Sequence, residues 1–291
     1  MLIDTAIFFK NYSSGAGFVI LKNESLFVAK NDLITPDSFN QQNWKPYTKH
    51  SYAKFNVYHT WTEYINRLSS ALAGIPFLFL IFVSLKFWKE NKQITLLSFG
   101  AFFLMLFEAW LGKTVVDSNL KPTIITTHMV GGLVIVALLL WLLYIVSDRK
   151  KTSYEYNSLF SKLVILSAVF SLIQIALGTQ VRQFIDEQVK LFGFENKHYS
   201  LLNPSFKFYF HRSFTIAIVL VNLGMFYLNQ LKNLGYKLVN WIVFLIFLET
   251  ITGILMYYAE FPIGTQAIHL LSGAVLFGLQ FYLLLQSRKS I

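Results

Sequence analysis

Residues 206–273 begin FKFYFHRSF (206–214), pass through ETITG (249–253) and close on PIGTQAIHLLSG (262–273). His211 and Arg212 open one apolar run, Glu249 sits inside the next, and His269 lies one turn into a third. The same spacing occurs earlier in the chain. Glu108 precedes His128 by 20 residues, as Glu249 precedes His269. Each Glu is followed four residues later by Gly (EAWLG, ETITG), and so is each His (HMVGG, HLLSG). Pro122 and Pro262 stand six and seven residues before their histidines, and Asn66-Arg67 falls where His211-Arg212 would lie. The chain carries an internal duplication, and a duplicated unit sets the architecture.

Outward from this stretch, seven long apolar runs lie near 64–87, 95–116, 122–147, 159–182, 206–229, 237–258 and 263–286. Each can cross the hydrocarbon of a bilayer, which takes roughly 20 helical residues. Of the 291 residues 55% are hydrophobic and only 14% charged. Runs apolar on every face exclude a soluble two-domain protein, whose helices would be amphipathic. The expected fold class is an all-α polytopic membrane protein of two pseudo-repeated helix-bundle halves.

The formal charge of +10 needs no nucleic acid to explain it. Basic residues cluster at alternate loop ends: Lys86, Lys89 and Lys92; Arg149, Lys150 and Lys151; Lys232 and Lys237; Arg288 and Lys289. The positive-inside rule turns these clusters, and with them the C-terminus, to the cytoplasm. No basic face of a soluble fold is visible, so nucleic acid is excluded as a partner. With no cysteine there is neither a disulfide nor a thiolate metal site.

Three segments follow: an extracytoplasmic N-terminal segment, 1–58; an N-terminal half-bundle of three spans, 59–148; and a C-terminal half-bundle of four, 149–291. In the first segment TAIFF and GAGFVIL are too short to cross a membrane. Three spans against four lead to the expectation of an eighth helix upstream of Met1, equivalent to 159–182. A polar outer loop is expected over 183–205.

On this topology Glu63, Asn66, His128, His211 and His269 gather near the outer ends of inward-running helices, giving one site per half. Glu63, Asn66 and Arg67 are three and four residues apart, hence on one helical face. Imidazole is the commonest metal-binding side chain. Two histidines from neighbouring helices suit the two axial positions of a heme iron, so His128, His211 and His269 are the candidate metal ligands. Gly131, Gly132, Ser272 and Gly273 would leave room for a flat macrocycle. Arg212 and Arg67 would meet propionates, since planar pairing favours Arg. Simpler readings stand beside these: an intrahelical Glu63–Arg67 ion pair, and packing hydrogen bonds for Glu108 and Glu249. His50 and His198 lie in polar segments with no assigned role.

These residues resemble the heme A synthase family, membrane enzymes of cytochrome oxidase assembly with eight helices in two four-helix halves. The family's Glu-x-x-His-Arg motif corresponds to Glu63-Tyr64-Ile65-Asn66-Arg67, and its histidines on helices four, six and eight to His128, His211 and His269. The resemblance spans about residues 55–288. It implies a heme b between His211 and His269, and heme O as substrate in the N-terminal half. It also implies oxidation of the C8 methyl of heme O to a formyl group with a membrane electron donor, heme O delivery by a farnesyltransferase (heme O synthase), and residence in the plasma (inner) membrane among its lipids.

Two features depart from the family: the outer cysteine pair common in it is absent, and the first motif histidine is Asn66. A carboxamide is a poor iron ligand. Either His128 alone holds the substrate heme and leaves one face open, or His59, two turns before Asn66, fills the place. Glu63, on the face of Asn66, is the candidate catalytic acid–base group. Three functions therefore compete: the oxygenase, a bis-histidine b-type cytochrome that passes electrons, and a non-catalytic heme carrier or assembly scaffold.

Overall fold

The computed structural model describes residues 19–22, 25–29, 44–46, 57–118, 121–147, 154–192 and 203–288. Seven helices among them are long and apolar enough to cross a membrane. They are α1 (Val57–Ser84), α2 (Lys92–Asp117), α3 (Pro122–Val146), α4 (Ser158–Phe192), α5 (Phe206–Leu231), α6 (Leu238–Tyr258) and α7 (Thr265–Gln286). The expected class of a polytopic helical membrane protein holds. A helix satisfies its own backbone polar groups, which is why apolar runs of this length take that form in lipid.

Two elements differ from the sequence reading. Three short strands, β1 (Val19–Lys22), β2 (Ser25–Ala29) and β3 (Trp44–Pro46), form an antiparallel sheet in the order β1-β2-β3, with Val19 opposite Val28 and Phe27 opposite Pro46. Strands of three to five residues are too short for a period-two pattern to stand out. Helix α4 also runs through Phe192, so half of the expected 183–205 loop is helical. Two side-chain pairs one turn apart support that extension: Arg182 Nε to Asp186 at 3.7 Å, and Gln183 Nε2 donating to Glu187 at 2.6 Å.

The chain divides into two compact units, Met1–Pro76 with Ala109–Ile124, and Phe77–Glu108 with Ile125–Ile291. In the second, α4 packs on α5 and α7, and α6 on α5 and α7, closing a four-helix ring. Its core holds Phe160 and Val164 of α4, Ile218 and Met225 of α5, Val239, Ile242 and Ile246 of α6, and Leu276 and Leu283 of α7. Helix α3 lies against α7, where Gly278 brings the backbone close to Val136 and Leu140.

Polar groups fix the register of this ring. Ser167 donates to Asn222 Oδ1 at 2.7 Å, and Gln280 Nε2 donates to Ser167 Oγ at 2.7 Å, tying α4, α5 and α7 together in the buried core. At the α5–α6 turn Asn229 brackets Tyr236, accepting from its N–H and donating to its carbonyl, both at 3.2 Å. The Tyr236 ring stacks between Tyr154 at 4.7 Å and Phe160 at 4.6 Å. The α6–α7 turn is tighter: Glu260, Phe261 and Gly264 all take positive φ. Only glycine adopts that conformation without cost, so two of the three positions are strained. The turn sets His269 in the second turn of α7, close to its N-terminal end.

Candidate functional site

His211 is the sixth residue of α5 and His269 the fifth of α7, so both imidazoles lie at the same end of the four-helix ring. Their ring centroids are 6.5 Å apart, with planes inclined at 73°. Both are partly buried. Gln174 of α4 donates to the His211 carbonyl at 3.0 Å and to Thr215 Oγ1 at 2.9 Å, which pins the second and third turns of α5. Gly178, one turn further along α4, lets the backbone pass the ring: a Cβ there would stand 3.2 Å from His211 Cε1. His211 Nδ1 is buried with no hydrogen-bond partner among the described residues.

His269 is held differently. Its Nδ1 lies 2.9 Å from Thr252 Oγ1 and 3.0 Å from Glu249 Oε2, both on α6. The Thr252 hydroxyl donates to the Leu248 carbonyl at 2.9 Å, so it accepts from the ring N–H. The other Glu249 oxygen accepts a hydrogen bond from Ser272 of α7. With Nδ1 engaged as donor, Nε2 is the nitrogen left to take a ligand.

The first copy of the motif repeats the pair without its surroundings. His128 Nδ1 lies 2.5 Å from Glu108 Oε2, and Glu108 is buried. Neither Glu108 oxygen receives a well-directed hydrogen bond among the described residues. Gly131 occupies the position equivalent to Ser272, and a methyl there would overlap the Glu108 carboxylate. Gly131 and Ser272 each also face the neighbouring Glu. Gly132 has open space where a Cβ would project, and Gly273 has ordinary contact with Glu249 at 3.6 Å.

On α1, Glu63, Asn66 and Arg67 are exposed, and Arg67 donates to Glu63 one turn away. The intrahelical ion pair is therefore formed. The Asn66 carbonyl accepts from Ser70 at 2.9 Å. His59 belongs to α1, but its side chain lies outside the described residues, as do His50 and His198 entirely. The Arg212 guanidinium rests 5.4 Å from the Tyr209 ring centroid, 5.9 Å from Phe208 and 6.0 Å from Tyr257.

Sequence reasoning missed Thr252, Gln174 and Gly178. Thr252 had a usable signal, since it is three residues after Glu249 and so shares its helical face. Gly178 and Gln174 had none, because their roles depend on where α4 passes α5.

A helical membrane bundle presenting two facing imidazoles at one end is the class of protein that fold and site define. The model of the COX15-CtaA family, cytochrome oxidase assembly protein, matches residues 34–281. The chain belongs to this family, the heme A synthase family, and its role lies in cytochrome oxidase assembly. Comparison with curated proteins gives no match.

Proposed function

We propose that the chain is an oxidoreductase that converts heme O to heme A, oxidising the C8 methyl to a formyl group with a bound heme b as electron carrier. The observation that carries this reading is the His211–His269 pair. The two ring centroids are 6.5 Å apart at one end of the bundle, close enough for the pair to hold one iron between them. No cluster of three or more His, Cys, Asp or Glu competes for a metal among the described residues. When bound, heme b supplies one-electron transfer between a membrane donor and the reaction.

The side chains have separate tasks. His211 and His269 would hold heme b, with Thr252 and Glu249 fixing the His269 tautomer. Arg212, near the aqueous boundary of α5, would meet a propionate. His128, oriented through Nδ1 by Glu108, would hold substrate heme O, and Asn66 in place of the motif histidine gives that iron no second imidazole from its position. Glu63 would move protons during oxidation, with Arg67 keeping its carboxylate oriented. The division 59–148 and 149–291 would separate substrate and cofactor halves, after an extracytoplasmic 1–58. The basic clusters support a plasma-membrane orientation with the heme sites outward and the C-terminus cytoplasmic. Heme O would come from a heme O synthase.

Heme extraction and chromatography after co-production with a heme O source test the reading. Heme A beside heme b is the expected result. The runner-up is a b-type cytochrome, favoured by the same imidazole pair and by Asn66. Heme b alone would establish it, and heme b with unchanged heme O would leave a carrier or scaffold.

A further inference from the structure

The duplication supplies an internal comparison, because the same Glu and His recur with different neighbours. Counting from each Glu, Thr252 corresponds to Leu111; counting from each His, Ser272 corresponds to Gly131. Around His269 the two second-copy residues complete a closed hydrogen-bonded set. Thr252 Oγ1 and Glu249 Oε2 share the Nδ1 proton at 2.9 and 3.0 Å, and Ser272 donates to Glu249 from one turn beyond His269 on α7. The set links α6 and α7 through four side chains. In the first copy, Leu111 has no hydrogen-bonding group and Gly131 has no side chain. Glu108 then approaches His128 Nδ1 at 2.5 Å with no hydroxyl among the described residues donating to its carboxylate.

We infer that Thr252 and Ser272 are positioning residues that lock His269 as an iron ligand and strengthen its donation, an outer layer of hydroxyls that the Glu108–His128 pair lacks at Leu111 and Gly131. The inference rests on the heme b assignment above and adds the residues that hold that site's ligand in place. An imidazole whose N–H is held by a fixed acceptor is a stronger donor, and loss of such outer partners typically weakens metal affinity by about 10–100-fold. Stronger donation stabilises the oxidised iron and so lowers its reduction potential.

The test converts the second copy to the first. Thr252→Leu with Ser272→Gly, in the full-length protein in detergent, should release heme b to an excess heme scavenger about 10–100-fold faster than the parent. Its midpoint potential should rise and the low-spin bis-imidazole spectrum should broaden. Thr252→Ser, which keeps the hydroxyl, should restore both release rate and potential. Unchanged release and potential in the double variant, with heme b still bound, would overturn the inference and leave the heme b assignment intact. Absence of heme b from the parent protein would instead remove the assignment on which it stands. Faster release with unchanged potential, and no rescue by Thr252→Ser, would reduce the two residues to packing.

Discussion

Gly178 of α4 and His211 of α5 are in near contact: a Cβ on the glycine would stand 3.2 Å from Cε1 of the imidazole and 4.0 Å from Nε2. The Cε1 corner of the ring, with Nδ1 at 3.9 Å beside it, therefore faces bare backbone. A side chain on Gly178 must displace the ring. Gly178→Ala is expected to reduce heme b content, since the ring can yield a few tenths of an ångström. Gly178→Leu is expected to abolish it. Pyridine hemochrome content set beside far-ultraviolet circular dichroism separates ligand displacement from unfolding; full heme content in Gly178→Leu would remove the contact from the site.

The Ser167–Asn222–Gln280 cluster makes a prediction about stability alone. All three side chains are almost completely buried, and they bridge three helices. Asn222→Leu leaves Ser167 and Gln280 without their shared acceptor. The expected loss is about 1–2 kcal/mol, near the upper end of side-chain hydrogen bonds between membrane helices. Replacing the whole cluster (Ser167→Ala, Asn222→Leu, Gln280→Leu) should cost less than the single change, because no polar group then remains unpaired. Thermal unfolding in one detergent compares them, and a triple variant weaker than Asn222→Leu would contradict the argument.

Tyr236 lies in the α5–α6 turn, outside the spans, and burial between Tyr154 and Phe160 raises its phenol above the ordinary 10.0, with smaller contributions from Tyr154 and Tyr144. The folded state therefore holds this proton more tightly than the unfolded chain does. Its contribution to stability is complete below about pH 10 and declines as the pH rises from there through the higher folded value. Tyr236→Phe is expected to flatten the alkaline limb of a melting-temperature profile. A variant profile as steep as the parent's would assign that limb to other groups.

The helices were legible because a residue run apolar on all faces has one solution in lipid. The duplicated Glu and His spacing likewise singled out His128, His211 and His269 without coordinates. What the spacing could not give was the difference between the copies. Glu108 and Glu249 share their spacing to the following Gly and to the following His, yet Glu249 is gripped by Ser272 and Glu108 packs on Gly131. That contrast depends on which face of α7 or α3 meets the preceding helix. The extension of α4 past residue 182 was hidden for another reason: its last turns are held by polar i,i+4 pairs, which read as loop composition in a chain otherwise so apolar.

Glu63 is held by Arg67 on the exposed face of α1, so its proposed part in oxidation can be separated from structure. Glu63→Gln removes the carboxylate's proton chemistry and keeps a hydrogen-bond acceptor for Arg67. Heme b content should remain at the parent level while heme A production falls by about 10²–10⁴-fold, the usual contribution of a positioned acid–base group. Unimpaired heme A production in this variant would confine Glu63 to its ion pair.

Arg212 offers a graded test of the cofactor half. Its guanidinium lies within 6.0 Å of three aromatic centroids, those of Phe208, Tyr209 and Tyr257, and it directly follows His211. Stacking of this kind contributes about 0.5–2 kcal/mol and holds the planar group in one orientation. An oriented guanidinium can pair with a propionate through two parallel hydrogen bonds, which an ammonium cannot reproduce. Arg212→Lys should therefore lose heme b faster than the parent, and Arg212→Ala faster still. Tyr257→Leu should show a smaller loss, because it loosens the guanidinium without removing it. The order matters more than the size of any one effect: equal release from the Lys and Ala variants would mean that the planar fork is what counts, whereas a Lys variant equal to the parent would reduce Arg212 to a charge.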